Sequence, residues 1–194
     1  MAAGGIDGRT ARSVRTKAAI VDACLALVAA GDLRPTAPRV AEKAGVSVRS
    51  VFQHFADLES LFATVGDEAL RRFRARGMDV DPDLPLDERV AVAVEQRTAL
   101  LEDLTPLRRS VAVNATDSPS AIERMRLAHS VFRAEVSRVF ANELAGDPML
   151  LDAVDGVLSW PLWDQLRTLI GLEQPDARVV LERIVLSLLR PGAE

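Results

Sequence analysis

Cysteine is nearly absent from this sequence. Cys24 is the only one in 194 residues, so no disulfide can form within the chain. The two histidines, His54 and His129, stand far apart, and with a single thiol they offer no clustered ligand set for zinc. Tyrosine is missing and aromatics amount to 4%. Apolar alternation is never sustained over the length of a strand, so a sheet has little to be built from. No apolar run is long enough to span a bilayer, and residues 1–22 lack the apolar core of a signal peptide. A cytoplasmic location is the expectation. Gly-rich phosphate loops, metal-ligand clusters and nucleophile elbows are also lacking, which argues against an enzyme and gives no place to a cofactor.

What is present is ordinary globular material, 48% apolar and 27% charged, enough to bury a sizeable core. Its charge is uneven. Residues 1–62 carry eight Lys or Arg against six acids, net +2, and with −4 overall the remainder carries −6. A basic front and an acidic back suit a protein that sets only its front on a polyanion.

Apolar residues recur at helical spacing almost throughout. Ile20, Cys24, Leu27 and Val28 form one stripe, stopped by Gly31. On that stripe Cys24 reads as a small core residue. Leu58, Leu61, Phe62, Val65, Ala69 and Phe73 form another, with Asp57 as its N-cap. Gly77 and the segment from Asp81 to Pro85 break the pattern and predict a seam. Beyond it, Val90, Val94, Leu101 and Leu104 predict a helix that turns at Pro106. Asp117-Ser118-Pro119 predicts a turn or cap, and Ile122 to Phe140 a long helix. Leu150 to Leu172, kinked at Pro161, and Val180 to Leu189 complete an all-α chain of about nine helices. Three regions follow: a loose basic arm over 1–14, a compact helical domain over 15–62, and a larger helical domain over 63–194.

The segment from Thr36 to Phe62 carries the most meaning. Thr36 can cap a short helix with Pro38 in its first turn, and Val40 and Ala41 face inward. Gly45 supplies the positive φ of a tight turn, Val46 anchors it, and Ser47 caps the next helix, Val48 to His54. Small Ala41 lets the two helices cross closely, which is the logic of a helix-turn-helix. Arg49, Ser50, Gln53 and His54 point outward. Arginine can read guanine bidentately and glutamine can read adenine.

With Thr36, Val40, Ala41, Ala44, Gly45, Val46, Ser47, His54, Phe55, Glu59 and Leu61 in one register, the stretch over residues 15–65 resembles the DNA-binding domain of the TetR family. The resemblance implies a DNA-binding regulator, commonly a repressor, that leaves a palindromic operator when a small effector binds the second domain. It also implies DNA contacts at Thr36, Arg39, Lys43, Ser47, Val48, Arg49, Ser50, Phe52, Gln53 and His54. The family pattern has Tyr where this chain has Phe52, Lys where it has Leu58, and Gly-Thr where it has Arg49-Ser50. Loss of two phosphate contacts predicts weaker sequence-independent affinity and a flatter salt slope. Arg9, Arg12, Arg15 and Lys17 of the arm, with Arg39, Lys43 and Arg49, are the compensating cations.

In the second domain, Arg97, Asn114, Met125, His129, Phe132, Trp160 and Trp163 are the effector-contact candidates. Arg97 stands where the stripe calls for an apolar residue. It is either a snorkelling shoulder or an anchor for an anionic or carbonyl-bearing effector. His129 is more commonly a satisfied core histidine than a ligand contact. The two tryptophans suit a core or an interface as well as a pocket. The last two apolar helices suit a four-helix interface across a two-fold axis, hence a homodimer. A helical ligand-binding or protein-interaction dimer with little specific DNA binding is the alternative.

Overall fold

A computed structural model describes residues 4–114 and 118–190. Every regular element among the described residues is helical, as the apolar spacing predicts. Asp117 lies outside the described residues, as does the side chain of Arg9. The chain forms two compact units. One comprises Met1–Arg72 with Pro106–Arg124, and the other Phe73–Thr105 with Met125–Glu194.

In the first unit, α1 (Gly4–Ala29) starts well before Lys17, where the apolar stripe alone would place it. Arg12, Arg15 and Lys17 are exposed on this extension. The helix closes on a Schellman turn. Gly31 takes φ +92°, its N–H bonds Val28 O at 2.9 Å, and Asp32 N–H bonds Leu27 O at 3.0 Å. Helices α2 (Ala37–Ala44) and α3 (Val48–His54) pack on α1. Helix α4 (Leu58–Arg76) begins with a reciprocal cap. Asp57 Oδ1 accepts from Ser60 N–H at 2.7 Å, and Ser60 Oγ accepts from Asp57 N–H at 3.3 Å. Ile20, Cys24, Val40, Ala41, Val51, Phe55, Leu61 and Val65 form the buried core. Fully buried aliphatic side chains each contribute about 1.5–3 kcal/mol, so this cluster is the main source of the unit's stability. Cys24 is one of them, and burial, then Asp32, pushes its thiol up to about 12.

Helix α5 (Leu86–Asn114) runs through Pro106 without the turn expected there. A helical proline forfeits one hydrogen bond at a cost of about 3 kcal/mol. Apolar burial on both sides offsets that cost: Leu101 and Leu104 before the proline, and Leu107, packed on the first unit's core, after it. Ser110 Oγ also donates to Leu33 O at 2.9 Å.

The second unit adds α6 (Pro119–Val139), α7 (Ala141–Leu144), α8 (Pro148–Val157), α9 (Trp160–Asp164) and α10 (Gln174–Leu189). Pro161 does not kink a long helix. The chain breaks after Val157, and Pro161 sits in the first turn of α9, where its missing N–H costs nothing. A π-helical turn, Gln165–Leu169, follows directly. Val90, Val94, Val136, Val139, Phe140, Val154, Trp163, Leu181 and Val185 make the core. Between Gly77 and the segment from Asp81 to Pro85, Met78 and Val80 are buried in that core. Gln96 pairs with the backbone of Asp79 in both directions, at 2.9 and 2.8 Å.

Candidate nucleic-acid interface and ligand cluster

The turn between α2 and α3 is built as its residue types require. Gly45 adopts φ +67°, and its N–H bonds Glu42 O at 3.1 Å while Val46 N–H bonds Ala41 O at 2.9 Å. This repeats the Schellman geometry at Gly31. Ser47 caps α3, its side chain accepting from Ser50 N–H at 3.1 Å. Thr36 occupies the corresponding place before α2 with extended backbone, yet its side chain makes no cap hydrogen bond. The cap it was expected to form is absent, and its exposed hydroxyl is left for other partners.

Val51 and Phe55 anchor α3 in the core, so its opposite face is fixed outward. Val48, Arg49, Phe52 and Gln53 are exposed, and Ser50 and His54 are half-buried. Phe52 is 49% exposed although it is a large apolar side chain without a core partner. Leu58 differs: it packs on the unit core, which explains an apolar residue where the resembled pattern has a cation. Lys43 is exposed. Arg39 pairs with Asp32 at 2.8 Å while remaining 58% exposed. Lys17 lies over the Phe55 ring, 5.4 Å from its centroid. Arg34, not among the candidate contacts, donates to Val113 O at 3.2 Å and so ties the loop before α2 to α5. No sequence signal announces that bond, because it joins residues 79 positions apart.

The effector candidates divide. Asn114 lies in the first unit, where its amide donates to Leu33 O at 2.6 Å and Ser110 O at 2.8 Å. Arg97, Met125, His129, Phe132, Trp160 and Trp163 lie in the second unit. Trp160 Nε1 donates to Thr105 Oγ1 at 3.1 Å. Trp163 is fully buried and its Nε1 has no acceptor. His129 is no core histidine: its side chain is 59% exposed and its Nε2 lies 2.9 Å from Asp155 Oδ2. Arg97 is 2% exposed, with its guanidinium carbon 4.5 Å from the Phe132 ring centroid. Desolvation by burial holds its pKa below the usual arginine value, partly opposed by Glu135 and then Asp155.

A solved structure from Mesorhizobium loti, assigned to the TetR-family transcriptional regulators, matches with a TM-score of 0.72 over 92% of this chain and 96% of that one. The chain has the TetR-family fold. Sequence identity in that match is 21%. A transcriptional regulator from Rhodococcus sp. RHA1 matches with a TM-score of 0.67 at 20% identity, over 91% of this chain and 95% of that one. A Vibrio parahaemolyticus protein assigned to the TetR family gives 0.62 at 21%, over 90% and 96%. No protein-family model matches the chain, and no curated protein matches it. The TetR fold thus extends past the motif at residues 36–62 to both units. Among the described residues, no helix is long and apolar enough to cross a membrane.

Proposed function

We propose that the protein is a DNA-binding transcriptional regulator that reads a palindromic operator through α3. One observation carries the reading. A short helix is pinned from behind by Val51 and Phe55 and capped by Ser47, with Arg49, Phe52 and Gln53 on its free side. A helix held this way can enter a major groove, with arginine and glutamine to read bases and Ser47, Thr36 and Lys43 to meet phosphates. The exposed cations Arg12, Arg15 and Lys17 of the α1 extension supply further backbone attraction.

The protein acts as a homodimer in this reading. A single helix-turn-helix buries little DNA surface, and a two-fold protein matches a two-fold site with half-sites about 34–36 Å apart. Helices α8 and α10 pack together in the second unit and leave Met149 and Val179 exposed, with Leu169 and Ile170 between them in sequence. Four large apolar side chains in water favour a partner surface. Of the apolar residues that would face a partner, Val154, Leu158, Leu181 and Leu189 are buried within the protomer. Leu150, Val157, Leu162, Val180 and Leu188 pack partly on its core while staying half-buried, and Ile184 is half-buried too.

Regulation is by a small effector in the second unit, with repression relieved when it binds. Helix α4 runs from Leu58 in the first unit to Arg76 in the second, so a ligand that shifts its last turn biases the recognition helix. Selection of duplexes from a random pool at moderate salt tests the reading. An inverted repeat should emerge, and Arg49→Ala should cost about 1–3 kcal/mol on it and relax one base position. A folded dimer that enriches no sequence would instead make this a helical ligand-binding or protein-interaction module.

A further inference from the structure

Arg97 is a buried cation whose surroundings are incomplete. Its Nη2 donates to Phe132 O at 3.2 Å, its one hydrogen bond among the described residues, and its Nε is buried without an acceptor. A guanidinium offers five N–H donors. Two carboxylates lie near, and each has a closer partner. Glu135 Oε2 stands 3.7 Å from Nη2, beyond hydrogen-bond reach, while Glu135 Oε1 accepts from Met78 N–H at 3.1 Å. Asp155 is 2.9 Å from His129 and 3.9 Å from Arg133, which also holds Asp152 at 2.6 Å. Phe132, itself only half-buried, covers the guanidinium face. The neighbouring core is apolar, with Val94, Leu101 and Val136 fully or nearly buried.

We propose that Arg97 anchors a small monocarboxylate on an apolar body, which takes the acceptor place its Nε lacks and displaces Glu135 as its counter-charge. Carboxylate is the fitting class because its two oxygens match the planar fork of a guanidinium. The displacement has a consequence within the same unit. Glu135 and Arg138 hold the backbone just after α4, Arg138 donating to Met78 O at 2.6 Å. A ligand that draws Arg97 away from Glu135 changes the charge balance at that clamp, one residue beyond Gly77. The inference rests on the reading of the second unit as an effector domain.

Thermal shift of the full chain tests it with sodium octanoate, benzoate and phenylacetate, each against its primary amide, at constant pH and ionic strength. At least one acid should raise Tm while its amide does not. Arg97→Gln should weaken that acid by roughly tenfold, the loss expected of one buried charge-assisted bond. Glu135→Gln keeps an acceptor for Met78 N–H and removes the competing charge, so binding should tighten roughly fivefold. That second variant decides the matter if Arg97→Gln does not fold. Equal shifts by acids and amides, no shift by any acid, or an unchanged affinity in Glu135→Gln would overturn the proposal. Duplex binding by the same preparation separates the two readings. An operator bound with no acid response sinks the carboxylate site alone, and an acid response without any operator sinks the regulator alone.

Discussion

The two units treat charge in opposite ways. Among the described residues of the first unit, no charged residue is fully buried. Arg39, Lys43 and Arg49 stand exposed on α2 and α3, and Arg108 of α5, half-buried, is the one cation described there that burial holds below its ordinary pKa. The second unit buries Arg89, Arg97 and Asp155 and leaves the Nε of both arginines without an acceptor. A surface that must attract a polyanion gains from exposed cations, and a simple apolar core holds them in place. Buried charge is seldom the cheapest way to stabilise a core, because desolvation consumes most of the Coulombic gain. The first unit thus presents its cations on an apolar core, whereas the second bears the desolvation cost of charges inside its own.

The sharpest test of that contrast is the Arg89–Glu143 pair. Arg89 donates to Glu143 and also to Pro82 O at 2.9 Å. Glu143→Ala leaves a buried guanidinium uncompensated and should cost about 3–5 kcal/mol in urea unfolding. The double variant Arg89→Met/Glu143→Leu should recover most of the loss. If the double variant is as unstable as the single one, charge is structurally needed in this unit and the contrast with the first unit is one of architecture, not of function.

A smaller loss is expected at Gly45. A Cβ there meets nothing within 4 Å, so sterics with neighbours are no obstacle, but φ +67° is left-handed. Gly45→Ala should cost about 1–2 kcal/mol, read as a lowered midpoint with unchanged m. Duplex affinity should fall with it if the turn sets the angle of α3.

Next in size is the cap. Ser47→Ala should cost about 1 kcal/mol of stability. Thr36→Ala should cost nothing measurable in folding, since its side chain caps nothing. A drop in duplex affinity for Thr36→Ala with unchanged stability would make it a contact, and the pair of variants separates fold from recognition within one motif.

These same residues show what a sequence can and cannot disclose here. Gly31, Gly45, Ser47 and Asp57 act on chain within five residues of themselves, so turn, cap and helix were legible without a partner in view. The α3 face followed from Val51 and Phe55 by helical spacing alone. Pro106 and Pro161 misled in opposite directions, because local chemistry says only that a proline disfavours a helix interior. Packing on both sides decided that α5 continues, and the N-terminal turn of α9 used Pro161 as a start. His129 fell on an apolar stripe in sequence, but its helix is tethered there through Asp155 of α8, and the side chain faces water. Arg97 was legible as an anomaly. Its missing acceptor was not, since the lack depends on Met78, His129 and Arg133 having claimed its neighbours.

The smallest effect concerns pH and the surface of α4. Glu68 accepts from Arg71 Nε at 2.8 Å and Arg72 Nε at 2.7 Å, and Arg72 also pairs with Asp22 of α1. These bonds, Arg71 first, hold the Glu68 carboxyl down to about 2 from its usual value of 4.5. The folded pKa lies below the unfolded one, so the stabilisation is present above pH 4.5 and is lost as pH falls toward 2. Exposed ion pairs are screened and individually weak, so the slope should be shallow and shrink with added salt. Acid unfolding of the wild type and Glu68→Gln between pH 5 and 2 checks it. The two curves should draw together toward pH 2, where about half of the wild-type carboxyl is protonated and most of the linkage is lost. An undiminished gap at pH 2 would mean that Glu68 holds α4 by contacts other than its charge, and the surface of the first unit would then contribute to its stability beside the apolar core.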